Sequence, residues 1–400
     1  MISQEVLSYK DELIQLRRDF HMYPEVGFEL HRTSQKVAEY LESVGLEVKR
    51  NVAQTGVVAL LKGAKPGKTI ILRADMDALT LQELNNVPYK SKIDGVMHAC
   101  GHDGHTAMLL VAAKILKAHQ SELSGNVKFV FQPSEEKFPP GGALPMIEEG
   151  VLKNPDVDYA FGVHLWSQLD CGKIGIRSGA LMAAADEFQI ILKGKGGHGA
   201  QPHYCKDPVI AAAELVMALQ TIVSRKIDPF ESVVVTVGKV QAGSAFNIIP
   251  ETAILQGTVR TLSENSRNLV KESIKRITQG VCMAHELDFE IDHKDGTAVL
   301  VNDEKLTDYV RKIAEGIFGK ENVVEVPPTM GGEDMSFFLK EVPGVFYFIG
   351  ASNSQKGLER SHHSPYFDID EDSLLVGTQM HVSLVLSMLG GKNDCISKGC

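Results

Sequence analysis

The chain lacks any excess of positive charge. Against 51 Asp and Glu stand 41 Lys and Arg, giving a net charge of -10 and a pI near 5.8, and no basic stripe carries interleaved aromatics. Such a surface repels phosphate backbones, which sets nucleic acid aside as a partner. A membrane-length apolar run is also missing, since MLLVAAKIL and LLVGTQMHVSLVLSML are interrupted short of the roughly 20 residues that a crossing needs. The opening MISQEVLSYKDELIQLRRDFHMYPE is amphipathic and has no signal-peptide core. The expectation is a cytoplasmic protein with no membrane partner. Six cysteines (Cys100, Cys171, Cys205, Cys282, Cys395 and Cys400) form no CxxC pair, which predicts free thiols in a reducing compartment. Of these, Cys100 alone has ligand-type neighbours. There is no internal repeat and no low-complexity linker.

What is present is ordinary globular composition, 44% hydrophobic and 23% charged over 400 residues, which is long enough for at least two domains. Up to about residue 180, helix and strand patterns alternate. Helices are predicted to Phe20, over SQKVAEYLESVG and after Asp103; strands over VVALLKG, KTIILRADMDAL and NVKFVFQP. Short apolar runs such as TIILRA and VKFVFQ suit buried strands of a parallel or mixed α/β sheet, whose carboxyl ends are where ligands bind. Between residues 186 and 296 the order becomes strand, helix, strand, strand, helix, strand, a βαββαβ (ferredoxin-like) unit. Residues 1–185 are therefore read as the first segment of a catalytic domain, 186–296 as an inserted satellite domain, and 297–400 as the second segment of the catalytic domain. That second segment resumes with a helix over DEKLTDYVRKIAEGIFG, a strand GVFYFIG and a last amphipathic helix from Glu371.

Chemistry-bearing residues fall at the ends of the predicted strands. Cys100 and His102, in HACGHDGHTAM, are two apart and can face one site from a turn, with Asp103 or Thr106 capping the helix that follows. A Gly-rich turn explains each alone, but thiolate and imidazole together are preferred ligands of zinc-like ions. Glu135-Glu136 follows a buried strand, where one carboxylate can bind metal and the other can take a proton from a metal-activated water. Asp75-Met76-Asp77 is explained equally by turn chemistry. His164 in YAFGVHLW reads as core or ligand, and His362-His363 in RSHHSPYFDIDE as exposed loop or ligand.

Taken in order, HACGHDGHTAM, LRADMDAL, FQPSEE, GVHLW, GKGGHGAQPH, FNIIPETAILQGTVRTL, GGEDMSFF and SHHSPYFDIDE resemble the metal-dependent aminoacylases, hippurate hydrolases and carboxypeptidases, a family that includes the auxin-conjugate amidohydrolases. The resemblance spans nearly the whole chain. It implies a metallo-exopeptidase-like catalytic domain with a satellite (lid and dimerisation) domain, and two divalent metal ions, zinc, manganese, cobalt or nickel, held by Cys100, His102, Glu136, His164 and His363. It makes Glu135 the general base and gives Asp75 and Asp77 a supporting role, while spacing and the other strand ends leave His98 and His105 as structural. His198 would stabilise the oxyanion across a dimer interface, Asn247 and Arg260 would hold the substrate carboxylate, and GGEDMSFF would line the pocket through its glycines or open a helix. The expected activity is hydrolysis of N-acyl-L-amino acids by a homodimer or tetramer, the alternative a metallocarboxypeptidase acting on short peptides. Two rivals are weaker. GKGGHG fits a dinucleotide fingerprint, but Pro202 and Asp207-Pro208 delay the helix that it requires. An inert metal-binding relative would have no use for Glu135.

Overall fold

The computed structural model describes residues 1–137 and 139–390, so Cys395 and Cys400 lie outside the described residues. The chain divides into two compact units. One comprises Met1–Gly179, Val301–Pro327 and the chain from Asp334 onward; the other, Ala180–Leu300 and Pro328–Glu333. The satellite unit thus includes a six-residue piece that returns from far along the chain.

The first unit is built on an eight-stranded mixed sheet in the order Glu47–Val52, Gly56–Lys62, Ser124–Gln132, Lys65–Asp75, Tyr159–Asp170, Gly344–Ser352, Ile174–Ile176 and Val323–Glu325. The four central strands, from Ser124–Gln132 to Gly344–Ser352, are mutually parallel. Asp75 and Gln132, the last residues of two of them, lie opposite each other, while Tyr159–Asp170 and Gly344–Ser352 run on beyond that level. The apolar runs are buried as expected: in Lys65–Asp75 the first four residues are exposed and every residue from Thr69 onward is buried.

Helix His102–Ala118 is almost wholly buried, packed by helices Lys10–Met22 and Ser373–Leu389 and by the sheet. Two glycines allow its entry. Gly101, at φ +90°, is the cap residue, and a Cβ on Gly104 would come 2.4 Å from Leu165 Cδ1. The cap differs from expectation: Gly101 holds the cap position, Asp103 lies inside the first turn with Oδ2 on Arg17 and His21 and Oδ1 on the Gly104 N–H at 3.0 Å, and Thr106 donates to the Asp75 carbonyl. His102 is correspondingly the first helical residue, with Cys100 in the turn before it. The last helix, Ser373–Leu389, is likewise buried on nearly all sides and not amphipathic, since it fills the core beside His102–Ala118. Strand Glu47–Val52 has no counterpart in the sequence reading, because its residues EVKRNV are mostly exposed and carry no apolar alternation.

The second unit is a four-stranded antiparallel sheet, ordered Val233–Ala242, Thr252–Thr261, Ala184–Lys193 and Asp288–Thr297, with helices Pro208–Arg225 and Glu264–Ala284 completing the βαββαβ order. Burial alternates along Ala184–Lys193, and Phe188, Ile190 and Leu192 meet Leu215, Leu219, Ile222 and Ile274 in its own core. Pro208–Arg225 is long and apolar enough, by length and composition, to cross a membrane. In the fold, one side of it is covered, at Ala211, Ala212, Leu215, Leu219 and Ile222, while Ile210 and Met217 are exposed. GKGGHG enters the short strand Gly197–His198, and after one 3₁₀ turn over Pro202–Tyr204 no α-helix opens until Pro208.

Candidate metal centre

Residues from four separate stretches converge where Lys65–Asp75 and Ser124–Gln132 end, His164 lying partway along Tyr159–Asp170. Cys100 Sγ lies 3.4 Å from His164 Nε2, and His363 Nε2 lies 3.2 Å from Glu136 Oε1. His102 Nε2 is 4.0 Å from both Glu135 Oε2 and Glu136 Oε1. Two groups of ligand atoms, Cys100/His102/His164 and Cys100/Glu136/His363, each fit within 4.8 Å, and Cys100 is common to both. A shared thiol between two three-ligand groups is what a two-ion site would use.

The tautomers point the same way. His102 Nδ1 donates to the Asp77 carbonyl at 2.8 Å and His164 Nδ1 to the Leu165 carbonyl at 2.8 Å, so each ring presents an Nε2 lone pair to the cluster. Metal-binding histidines are oriented by just such second bonds. His102 Nε2 and Glu136 Oε1 are buried with no hydrogen-bond partner, an arrangement that is costly unless a cation meets them. Electrostatics agree. Burial lowers the His102 pKa, but Asp75, Asp77 and Glu136 outweigh it and push the ring up to about 10. Burial raises the Cys100 thiol well above its ordinary value, and the carboxylates of Glu136, Glu135 and Asp75 add to that. The site demands positive charge at the atoms that would bind it, so the residues present fit divalent metal.

His363 and His362 diverge. His363 reaches Glu136 from an exposed turn at φ +62°, a left-handed conformation rare outside glycine. His362 turns inward, donates to the Leu165 carbonyl, accepts from Ser167 and packs on Trp166. Ser134, just before the acid pair, is also left-handed at φ +57°. Such strain gathers at sites where the surroundings over-determine the backbone.

The supporting acids hold the site in shape. Asp77 accepts the backbone N–H of Glu135 at 2.9 Å and of Glu136 at 3.1 Å, so one carboxylate presents both glutamates. Asp75 accepts from His105 Nδ1 and Arg73, both at 2.6 Å, and His105 Nε2 accepts the Leu165 N–H. His105 thus has no lone pair left for a metal, although it lies within reach. His98 is buried with neither nitrogen bonded, and burial takes its pKa down to about 3. Arg73, Gln132 and Asp334 join this framework and were not among the residues singled out by sequence. The available signal was Arg73 itself, a charge inside the apolar run TIILRA that burial obliges to be paired.

The remaining candidates belong to the satellite unit. His198 and Asn247 sit together on a two-stranded ribbon: His198 is paired opposite Ile248, and the Gly199 N–H donates to the Asn247 carbonyl at 2.8 Å. Both side chains are exposed. The Ala200 N–H donates to His198 Nδ1 at 3.0 Å, so the neutral ring carries its proton on the outward Nε2. Arg260 is half-buried in strand Thr252–Thr261, and Nη1 donates to Thr258 Oγ1 and the Val259 carbonyl.

The chain matches the family described as peptidase family M20/M25/M40 over residues 71–387. It is 41% identical over 387 residues to thermostable carboxypeptidase 1 of Saccharolobus solfataricus, covering 96% of this chain and 97% of that one. It is 40% identical over 364 residues to N-acetyl-L-cysteine deacetylase of Bacillus subtilis, covering 91% and 85%. Among solved structures, a Bacillus subtilis protein described as a dinuclear metal-binding peptidase of the M20 family superposes with a TM-score of 0.83 at 34% identity, over 95% of this chain and 98% of that one.

Proposed function

The chain belongs to peptidase family M20/M25/M40, and from that premise we propose a role for each element of its site. The protein is a metal-dependent amidohydrolase that cleaves the amide bond of N-acyl-L-amino acids, releasing a carboxylic acid and a free amino acid. The observation that carries this reading is the pair of ligand groups joined at Cys100, with Glu135 beside them.

Cys100, His102, Glu136, His164 and His363 would hold two divalent ions. Bound there, such ions supply Lewis-acid polarisation of the amide carbonyl and a lowered pKa for the attacking water. Glu135, presented by Asp77, takes the proton from that water and passes it to the leaving nitrogen, so that the C–N bond breaks to a neutral amine. His198 donates from Nε2 to the oxyanion of the tetrahedral intermediate, and its Nδ1 contact with Ala200 fixes the required tautomer. Arg260 and Asn247 hold the substrate carboxylate, for which a planar guanidinium suits two parallel hydrogen bonds.

The satellite unit is read as the lid and dimerisation domain, with His198 serving the site of a second copy in a homodimer. Supporting this are strand Val233–Ala242 at the sheet edge, with Val234 and Val240 exposed, and the exposed Ile210 and Met217 of the adjacent helix. A cytoplasmic location accompanies this reading.

The experiment is to strip the protein with chelator, add back Zn, Mn, Co or Ni, and assay N-acetyl, N-benzoyl and peptidyl amino acids. Chelation abolishes hydrolysis and one or more of the ions restores it. Activity indifferent to chelator refutes the reading, and a preference for dipeptides over acylated amino acids assigns the chain to carboxypeptidase action, as the Saccharolobus relative's name would suggest.

A further inference from the structure

The loop that carries Glu135 and Glu136 is closed at its base by the carboxylate of Asp334. Asp334 accepts from Gln132, at the outgoing end of the loop, with Nε2 at 2.8 Å from Oδ1 and 2.7 Å from Oδ2. At the returning end, Asp334 Oδ2 accepts the N–H groups of Gly142 at 3.1 Å and Ala143 at 3.0 Å. The two ends lie against each other, since a Cβ on Gly142 would stand 1.7 Å from the Pro133 carbonyl oxygen. Asp334 is fully buried and is neutralised by Arg73, whose Nη2 lies 2.6 Å from Oδ1.

Arg73 extends the staple to the rest of the cluster. It donates to Asp75 at 2.6 Å and to the Gln132 side-chain oxygen at 2.9 Å. Asp75 in turn holds His105, which receives the Leu165 N–H next to His164. One ion pair therefore ties together the glutamate loop, the first turn of the His102 helix and the strand that bears His164. A fully buried ion pair is poor evidence of a stabilising role, because desolvation offsets most of the attraction and an apolar pair often serves as well. Its role here is better explained by what it fixes.

We propose that Asp334 and Arg73 are positioning residues that hold the Glu135–Glu136 loop against the histidine ligands and so set how tightly the cluster binds metal. The inference rests on the metal-hydrolase reading above. Asp334→Asn keeps the size but replaces one acceptor oxygen with an NH2 group that faces N–H donors. Expected is affinity for Zn2+ and Mn2+, read by competition with a chromophoric chelator, weaker by about 10- to 100-fold, the usual cost of disturbing the partners of metal ligands. With metal saturating, kcat falls while KM is little changed. Gln132→Met, which leaves the Arg73–Asp334 pair intact, shows a smaller loss in the same direction and serves as the test if the Asp334 variant does not fold. The inference is overturned if a folded variant binds both ions and turns over like wild type, whatever its melting temperature. Wild-type protein that binds neither ion overturns the functional reading and this inference with it.

Discussion

Glu135 and Glu136 are adjacent in sequence yet are given different work, and isosteric substitution separates them. In Glu135→Gln the backbone N–H still reaches Asp77 at 2.9 Å and the side chain keeps its volume, so fold and ligand cluster persist. What is lost is the proton acceptor. Positioned acid–base groups contribute about 10²- to 10⁴-fold, which at about 1.36 kcal/mol per decade is roughly 2.7–5.4 kcal/mol of barrier. Glu136→Gln acts elsewhere: its Oε1 is buried without a hydrogen-bond partner, 3.2 Å from His363 Nε2 and within the Cys100 group. Replacing that anion with an amide removes a ligand, so metal affinity falls by more than the ~10- to 100-fold expected of a supporting residue. The assay measures kcat on an N-acetyl amino acid beside metal content by elemental analysis, for both variants. Glu135→Gln with full metal and turnover within about tenfold of wild type refutes the base assignment. So does a Glu135→Gln protein that loses its metal, and Glu136→Gln with wild-type affinity removes that residue from the ligand set.

Two further outcomes test the satellite unit. If His198 serves the site of a second copy, coexpressed Glu135→Gln and His198→Ala chains regain activity that neither shows alone, because each mixed dimer holds one complete site; purified mixed dimers as inactive as the parents count against it. Asp186 is buried and accepts from Arg267 at 2.5 and 2.8 Å and from the Gly296 N–H at 2.9 Å. Burial raises its carboxyl pKa, but His293 and Arg267 outweigh that and hold it well below the usual carboxylate range. A depressed folded-state pKa means stabilisation that is complete above the unfolded value, about 4, and fades as the pH falls below it. Asp186→Asn therefore costs about 1.5–3 kcal/mol at neutral pH, the range for hydrogen bonds to charged groups, and leaves Arg267 with Glu264 as its remaining carboxylate partner. In urea melts the gap from wild type narrows below about pH 4, and a gap constant from neutral pH to 3 contradicts the argument.

What the sequence made legible followed from how far apart the interacting residues lie. The helix and strand order of both units came from periodicities of a few residues, and the ligand candidates from runs such as CGHD and EE placed after apolar strands. The supporting framework leaves only a faint local trace, the charge of Arg73 inside TIILRA, and nothing local names its partners. Arg73 and Asp334 are 261 residues apart, and Arg17, which binds Asp103 beside His102, meets Asp368 at a separation of 351. Each of these charges looks in isolation like a surface residue or a turn. Their burial becomes intelligible once the sheet order brings Ser124–Gln132, Lys65–Asp75 and Tyr159–Asp170 side by side. Asp103 illustrates the point: read locally it is a helix cap, but its Oδ2 meets the buried Arg17 and His21, and Arg17 also meets Asp368 and Glu371, a cluster of charges drawn from three distant stretches. One carboxylate oxygen of Asp103 is thus committed to distant partners, while the other accepts the Gly104 N–H at 3.0 Å in the first turn that Gly101 opens.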